Sequence, residues 1–458
     1  MNSLHMRLND RRHFVCPAAL AVLLVLFAGA ANALANTVWC VPTVNVNASC
    51  TAASTKAHIQ DAVYAASAGD VIVVGPGLYN ETVYVDKDNL SIFGAQAGRD
   101  ARWGRYNPAE ESIVDASGSP YGDGGGAGFN IYDEVYNAVI DGFTIQGGTT
   151  GPYASGIYVY YANPQILDNI IQNNAVGLYM YEAFTMLVEN NLFRNNNQGA
   201  AGADDSYFAG LKGFGIAGYY SYYETSITEN AFEGNLAAAM AFYYLYYYGF
   251  EISHNTSKDD GALVVCTYCT SVSIDHNQGK DFGAKGFLPV NGTTNADGAI
   301  DFFYYNAYLQ VDDNSLEGGK AAGYNGIAFS NLTWYTPTAE PPDYVCEYCQ
   351  VSGNTVVGFG GNGIVAEPVE SKATLYFTIL SRNIVKDNGN DGILIGAAPY
   401  NYYNELFDNK AKGNQVFDCA DDTAGSLTLG TDNTWFNNIG NLSYPTGLCS
   451  AGSWQGQY

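Results

Sequence analysis

Ten tetrapeptides in this chain run apolar–x–x–Asn, and the residue before each Asn includes several able to move protons. The tetrapeptides end at Asn169, Asn191, Asn230, Asn255, Asn277, Asn314, Asn354, Asn383, Asn409 and Asn438. In the first nine, the preceding position reads Asp168, Asn190, Glu229, His254, His276, Asp313, Gly353, Arg382 and Asp408. If the units stack, neighbours in that column lie about 4.8 Å apart. Glu229, His254, His276 and Asp313 then form an acid–His–His–acid run, with Asp275 and Asp312 one position earlier. Paired carboxylates can divide into acid and base, as glycoside hydrolysis requires. A His beside a carboxylate can act as a base or a metal ligand. The plainer reading is a set of polar residues on a solvated turn.

Aromatic residues form a second candidate. Tyr158 and Tyr179 face outward on short Gly-Ile segments, with Tyr160, Tyr181, Tyr219, Tyr243 and Phe303 in the next column. Such a face offers apolar surface and hydroxyl tips to sugar rings, or serves only to stabilise stacking. Long insertions follow Asn191 (with Asp204 and Asp205), Asn277 (with Lys280 and Lys285) and Asn314 (with Trp334, Tyr335 and Glu340). They are expected to leave one corner together and rim a groove. Within it Asp301 is the leading candidate catalytic carboxylate, outward on its strand, with Asp275 and Asp312 as partners. Tyr160, Tyr181, Tyr219, Tyr243, Phe303 and Trp334 are the candidate substrate-binding residues. Lys280 or Lys285 can neutralise a uronate in lyase chemistry. Asp204 and Asp205 can hold calcium, although no strict calcium loop is present. No metal site and no cofactor is indicated.

These side chains need a scaffold that repeats. The ladder Asn positions are 22 to 40 residues apart. A shortest spacing with variable additions describes a coil of constant core length carrying loops of different size. Segments such as 156–160, 177–181, 215–219 and 363–366 supply a second strand per coil, one apolar side chain turned inward and the next outward. Asn suits a tight bend because it tolerates left-handed backbone angles and bonds backbone groups. Stacked, the amides can also bond one another. The expected fold is all-β, a right-handed parallel β-helix. A helix beginning at Ser54 or Thr55, with Ile59, Ala62, Val63 and Ala66 on one face, should cap the first coil before Gly69.

The run 59–79, the following 81–85 strand and the Asn-ladder coils together resemble the pectin-lyase-like superfamily of secreted β-helix repeat proteins. The resemblance covers nearly all the chain beyond its leader and implies the fold. It does not choose an activity, because that superfamily holds lyases, hydrolases, esterases, epimerases, adhesins and tailspikes. The Asn-Thr-Asp and Gly-His-Gly sets of polygalacturonases, the Arg-centred pattern of pectate lyases and the Asp-Pro-His-Asp of alginate epimerases are absent from this sequence.

Composition limits the partners. The chain has 45 acidic against 19 basic residues, a net charge of −26. Nucleic acid is excluded as a partner, since phosphate binding needs clustered Lys and Arg. A polyanionic glycan is disfavoured unless a basic cleft overrides the net field. Arg7, Arg11 and Arg12 precede an apolar run over 18–31 and a small-residue site at 33–35, the pattern of a signal peptide. Residues 1–35 are therefore read as a leader, 36–70 as the N-terminal cap, 71–438 as the β-helix and 439–458 as the C-terminal cap and tail. Without a second long apolar run, the mature protein is expected to be soluble, with no membrane insertion. Eight cysteines remain after the leader. Export favours Cys40 with Cys50, Cys419 with Cys449, and a disulfide within each CxxC at 266–269 and 346–349, over zinc or redox roles. The functional reading is a secreted carbohydrate-recognising protein whose partner is an extracellular polysaccharide or cell-surface glycan. It is either a polysaccharide hydrolase or lyase, or a non-catalytic surface, adhesion or structural protein.

Overall fold

The apolar residue opening each Asn tetrapeptide builds the largest sheet. A computed structural model describes residues 37–41, 50–118, 126–132, 134–199, 212–246, 248–283, 297–303, 305–319, 322–330, 345–367, 375–397 and 401–452. The leader assigned to 1–35 lies outside the described residues. Ile166, Val188, Ile227, Ile252, Ile274, Val311, Val351, Leu380 and Leu406 pair in register from strand to strand, all fully buried. Each contributes roughly 1.5–3 kcal/mol by leaving water. A lone coil has no partner for this row, so stacking and folding are one event.

Three long parallel sheets result, with 14, 13 and 12 strands, here called A, C and B. Each coil visits A, B and C in turn: Asn163–Leu167, Ile170–Gln172 and Val176–Tyr181, before returning to A at Leu187–Glu189. A short sheet of Asn306–Ala307, Cys346–Glu347 and Leu375–Tyr376 bridges C to A in the C-terminal half. The glycine opening many sheet C strands answers to packing. A Cβ on Gly177 would lie 2.8 Å from the Phe193 ring and 2.4 Å from the Gly215 carbonyl oxygen.

At the A–B corner the Asn side chains form the expected ladder. Asn277 Nδ2 donates to Asn314 Oδ1 at 3.0 Å, and the Asn277 backbone N–H donates to the same oxygen at 3.0 Å. Asn277 Nδ2 also donates to the Ile252 carbonyl at 2.9 Å. Equivalent bonds run from Asn169 to Asn438. The left-handed angle sits one residue earlier than expected, with φ of 51° at Asp168, 56° at His254, 53° at His276 and 54° at Asp313. The outward residue makes the corner, which leaves the Asn amide pointing inward between coils. A second ladder at the B–C corner links Asn174, Asn196 and Asn235 and ends on Asp260.

The cap helix, Ile59–Ala65, begins at His58 rather than at Ser54 or Thr55. Its first N–H groups, of Ile59 and Gln60, are taken by the Glu81 carboxylate at 3.0 Å each, so a distant acid replaces the local hydroxyl cap. Ile59, Ala62, Val63 and Ala66 are buried, as their spacing implies. Four disulfides join Cys40–Cys50, Cys266–Cys269, Cys346–Cys349 and Cys419–Cys449. Strand pairing continues past residue 438 to Ser443–Tyr444. Among the described residues no helix is long and apolar enough to cross a membrane.

The insertions do not share one corner. Those containing 204–205 and 285 fall between a sheet B and a sheet C strand, but the one containing 334–340 follows the sheet C strand Asn325–Ser330 and precedes Cys346–Glu347. It therefore leaves the coil on the way to sheet A. Trp334, Tyr335, Glu340, Asp204, Asp205 and Lys285 lie outside the described residues.

Candidate functional site

Sheet A's outer face carries the acid–base groups. Asp275 and Asp312 are direct partners on adjacent strands, both outward beside the buried Ile274 and Val311. Asp275 accepts from Ser273 Oγ at 2.9 Å through Oδ2, while its Oδ1 lies 2.9 Å from His276 Nδ1. The other ring nitrogen of His276 is 3.9 Å from Asp313 Oδ2. The His276 ring stacks on His254 with centroids 5.1 Å apart and planes within 2°. Asp312 accepts from Gln350 Nε2 at 3.2 and 3.0 Å. Burial pushes the Asp312 carboxyl above the usual range, and the charges of Asp313 and Asp275 add to this against Gln350 and Arg382. The pair is thus asymmetric in its partners: Asp312 is bonded by an amide, whereas Asp275 meets a hydroxyl and an imidazole.

A cleft of about 610 Å³ opens beside these groups, lined by Tyr248, Phe250, Glu251, Ser273, Asp275 and Tyr308 among others. Its cause lies in the turn column that enters sheet A. That column holds Gly249 and Ser271 in two coils, then Tyr308, Tyr348, Phe377 and Tyr403, all with positive φ. Small residues in the first two coils leave the space that aromatic rings fill in the next four.

The remaining sequence candidates are placed differently. Asp301 is outward by strand alternation, yet it is fully buried and stands on sheet C, not beside Asp275 and Asp312. Its Oδ2 accepts the Asp297 N–H at 2.6 Å, and its Oδ1 has no hydrogen-bond partner among the described residues. Burial first, and then Asp297, raises its pKa well above normal. This is a correction: a covered carboxyl on another sheet cannot share the cleft chemistry. The Tyr160, Tyr181, Tyr219 and Tyr243 column does stack, with centroids 5.3, 5.3 and 5.5 Å apart. It is packed rather than open, being part of an outer apolar cluster with Ala217, Ala241 and Phe303. Phe303 is cut off from the column, because Thr267 occupies the rung between it and Tyr243. Tyr160 also borders a smaller hollow of about 350 Å³ with Tyr161, Glu134 and Glu182. Glu229 is engaged by Arg102, which also reaches Asp100 and Asn190, so the expected four-residue run begins at His254. Lys280 stands on sheet B. Among the described residues no cluster of three His, Cys, Asp or Glu is arranged to hold a metal ion.

Sequence reasoning missed the cleft and its aromatic neighbours. The signal was available: Gly249, Ser271, Tyr308, Tyr348, Phe377 and Tyr403 each stand three residues before the apolar residue of their Asn tetrapeptide. That constant offset marks a stacked column.

Comparison with known proteins agrees with this architecture. The family described as "Right handed beta helix region" matches residues 117–299. The chain is a right-handed parallel β-helix. Among solved structures, the β-helix superposes on the catalytic unit of a thermostable GH87 alpha-1,3-glucanase from Streptomyces thermodiastaticus. The TM-score is 0.52 at 15% identity, over 84% of this chain and 66% of that one. The A-module of a mannuronan C-5 epimerase from Azotobacter vinelandii gives 0.52 at 13% identity, over 83% and 93%. The pre-mature gene product 12 of bacteriophage phi29 gives 0.54 at 12% identity, over 83% and 54%. This chain thus spans just under two thirds of the glucanase unit and about half of the phage protein. No curated protein matches it in sequence. At these identities the likeness is one of fold.

Proposed function

We propose that this β-helix recognises a polysaccharide at the sheet A cleft and hydrolyses it with Asp312 and Asp275. The observation that carries the reading is the carboxyl pair on adjacent coils, in which Asp275 lines that cleft and Asp312 is its direct strand partner. The fold is shared with an alpha-1,3-glucanase and a mannuronan C-5 epimerase, which supports a glycan as the class of partner. Four disulfides support a site of action outside the cytoplasm.

In this reading Asp312 gives its proton to the departing glycosidic oxygen, whose bond to the anomeric carbon breaks. Neighbouring strands are about 4.8 Å apart, which brings the carboxyls near the roughly 5 Å separation of retaining enzymes, too close to hold a water between them. Asp275 therefore attacks the anomeric carbon, and its bonds from Ser273 and His276 fix the carboxylate plane. Water then cleaves the glycosyl ester as Asp312 takes back a proton. Lyase chemistry loses support at this cleft, since Lys280 stands on sheet B.

The test is a panel of neutral and acidic polysaccharides incubated with the purified chain, read by reducing-end release. Asp312→Asn and Asp275→Asn should each lower turnover by about 10²–10⁴-fold while leaving binding intact. Product NMR should show retained anomeric configuration. A non-catalytic binding or adhesion role is the second reading, favoured by the aromatic columns that continue beyond the cleft. Saturable binding with no reducing ends released from any glycan would decide for it.

A further inference from the structure

The turn column beyond the cleft has properties that coil stacking alone does not require. Tyr308, Tyr348, Phe377 and Tyr403 stack in successive coils, centroids 5.5, 5.5 and 5.3 Å apart and planes within 13°, 2° and 21°. They nevertheless stay 56%, 45%, 40% and 53% exposed. Each takes a left-handed backbone angle, φ 54°, 54°, 47° and 61°, which bulky side chains avoid and Gly, Asn or Asp adopt at less cost. Tyr348 is also flanked by the Cys346–Cys349 disulfide, whose buried sulfurs anchor the turn to the core. Four strained and solvent-facing rings in line, one of them stapled, are a display surface.

Three observations identify the occupant. The column is continuous with the cleft, because Tyr308 belongs to both. Its rungs repeat at 5.3–5.5 Å, close to the length of one pyranose unit in an extended chain, so one sugar ring meets one coil. Its surroundings are acidic: Glu251, Asp275, Asp312, Glu347 and Glu405 stand on the adjoining strands. Among the described residues of the sheet A strands and Asn-side turns from Phe250 onward, Arg382 is the single Lys or Arg. A polyuronate would be repelled there, while an uncharged chain loses nothing.

We infer that Tyr308, Tyr348, Phe377 and Tyr403 form a docking track for an extended, uncharged polysaccharide lying along the solenoid axis and leading into the cleft. The inference rests on the glycan reading of that cleft and adds the ligand's charge class and direction. Phe377→Asn and Tyr403→Asn test it, both being remote from the carboxyl pair. Affinity is read by native electrophoresis in gels containing a neutral glucan, a neutral mannan or a polyuronate, with melting temperature measured alongside.

Each variant should weaken binding to a long neutral chain by about tenfold. Cleavage of a short neutral oligosaccharide should be unchanged. Folding should be kept, because Asn accepts the left-handed turn. Phe377→Tyr, which keeps the ring, should bind as the parent does, and an unchanged melting temperature in the Asn variants separates lost sugar contact from lost stability. Unchanged affinity in both Asn variants overturns the track and leaves the cleft reading standing. Binding confined to polyuronates overturns the uncharged class alone. Failure to bind any glycan overturns track and cleft reading together.

Discussion

At the scale of single residues, two buried carboxyls tie stability to pH. Asp260 ends the second ladder, accepting from Asn235 and Ser257, and burial pushes it up to about 7 despite those bonds. Asp168 is also raised to about 7, by burial first and then by Asp141 and Asp100. A carboxyl raised on folding keeps a proton that the unfolded chain releases near its model value of 3.8. The native state therefore binds more protons between pH 4 and 7, and stability falls as pH rises through that window. Asp260→Asn should remove the loss at this position. Its amide can donate upward as Asn235 does to the Phe193 carbonyl. Thermal melts should show the variant more stable than the parent above pH 7, by on the order of 4 kcal/mol at most, and close to it near pH 4. Equal melting temperatures at high pH would contradict the assignment.

At the scale of elements, the corners are where side chains replace sheet hydrogen bonds. Asn277→Ala removes the acceptor of the Asn255 backbone N–H and amide, both at 3.0 Å, and strands buried donors. A cost of about 3 kcal/mol follows from roughly 1–3 kcal/mol per unsatisfied group. Hydrogen exchange should place the loosening at the Asn255 and Asn314 corners rather than across the whole chain. The short Cys346–Cys349 bridge closes a small loop, so its entropic contribution is limited. Replacing both cysteines by Ala should cost only about 2 kcal/mol. The larger consequence should be weaker glycan binding as Tyr348 loses its support, and unaltered binding would argue against the staple.

At the scale of the whole molecule, contacts run from coil to coil and stability is close to a sum of local terms. A net charge of −26 works against every one of those contacts by self-repulsion. Raising ionic strength to about 0.15 M shrinks the screening length to about 8 Å and should raise the melting temperature. Binding of a neutral polysaccharide should not change over the same range, because its contacts are apolar and hydrogen-bonded. Strong salt dependence of binding would point to a charged ligand and against the cleft as described.

The repeat of apolar–x–x–Asn was sufficient to read the coil, the ladder and the inward rows, since identical residues at one corner make sense only if coils stack. The four disulfides were legible because their partners are close in sequence or sit at the two ends. The pairing of Asp275 with Asp312 was also legible, because it follows from register alone. Asp301 was not: alternation places it outward, but only packing around sheet C decides that outward there means covered. The corner from which the 331–344 insertion leaves was missed because a strand, Asn325–Ser330, intervenes between it and Asn314. The cleft depended on Gly249 and Ser271 lying where four later coils carry rings, and their contrast in size becomes a cavity only once the coils are superposed. Local pattern determined the scaffold and its outward columns; tertiary packing decided which of those columns meet solvent.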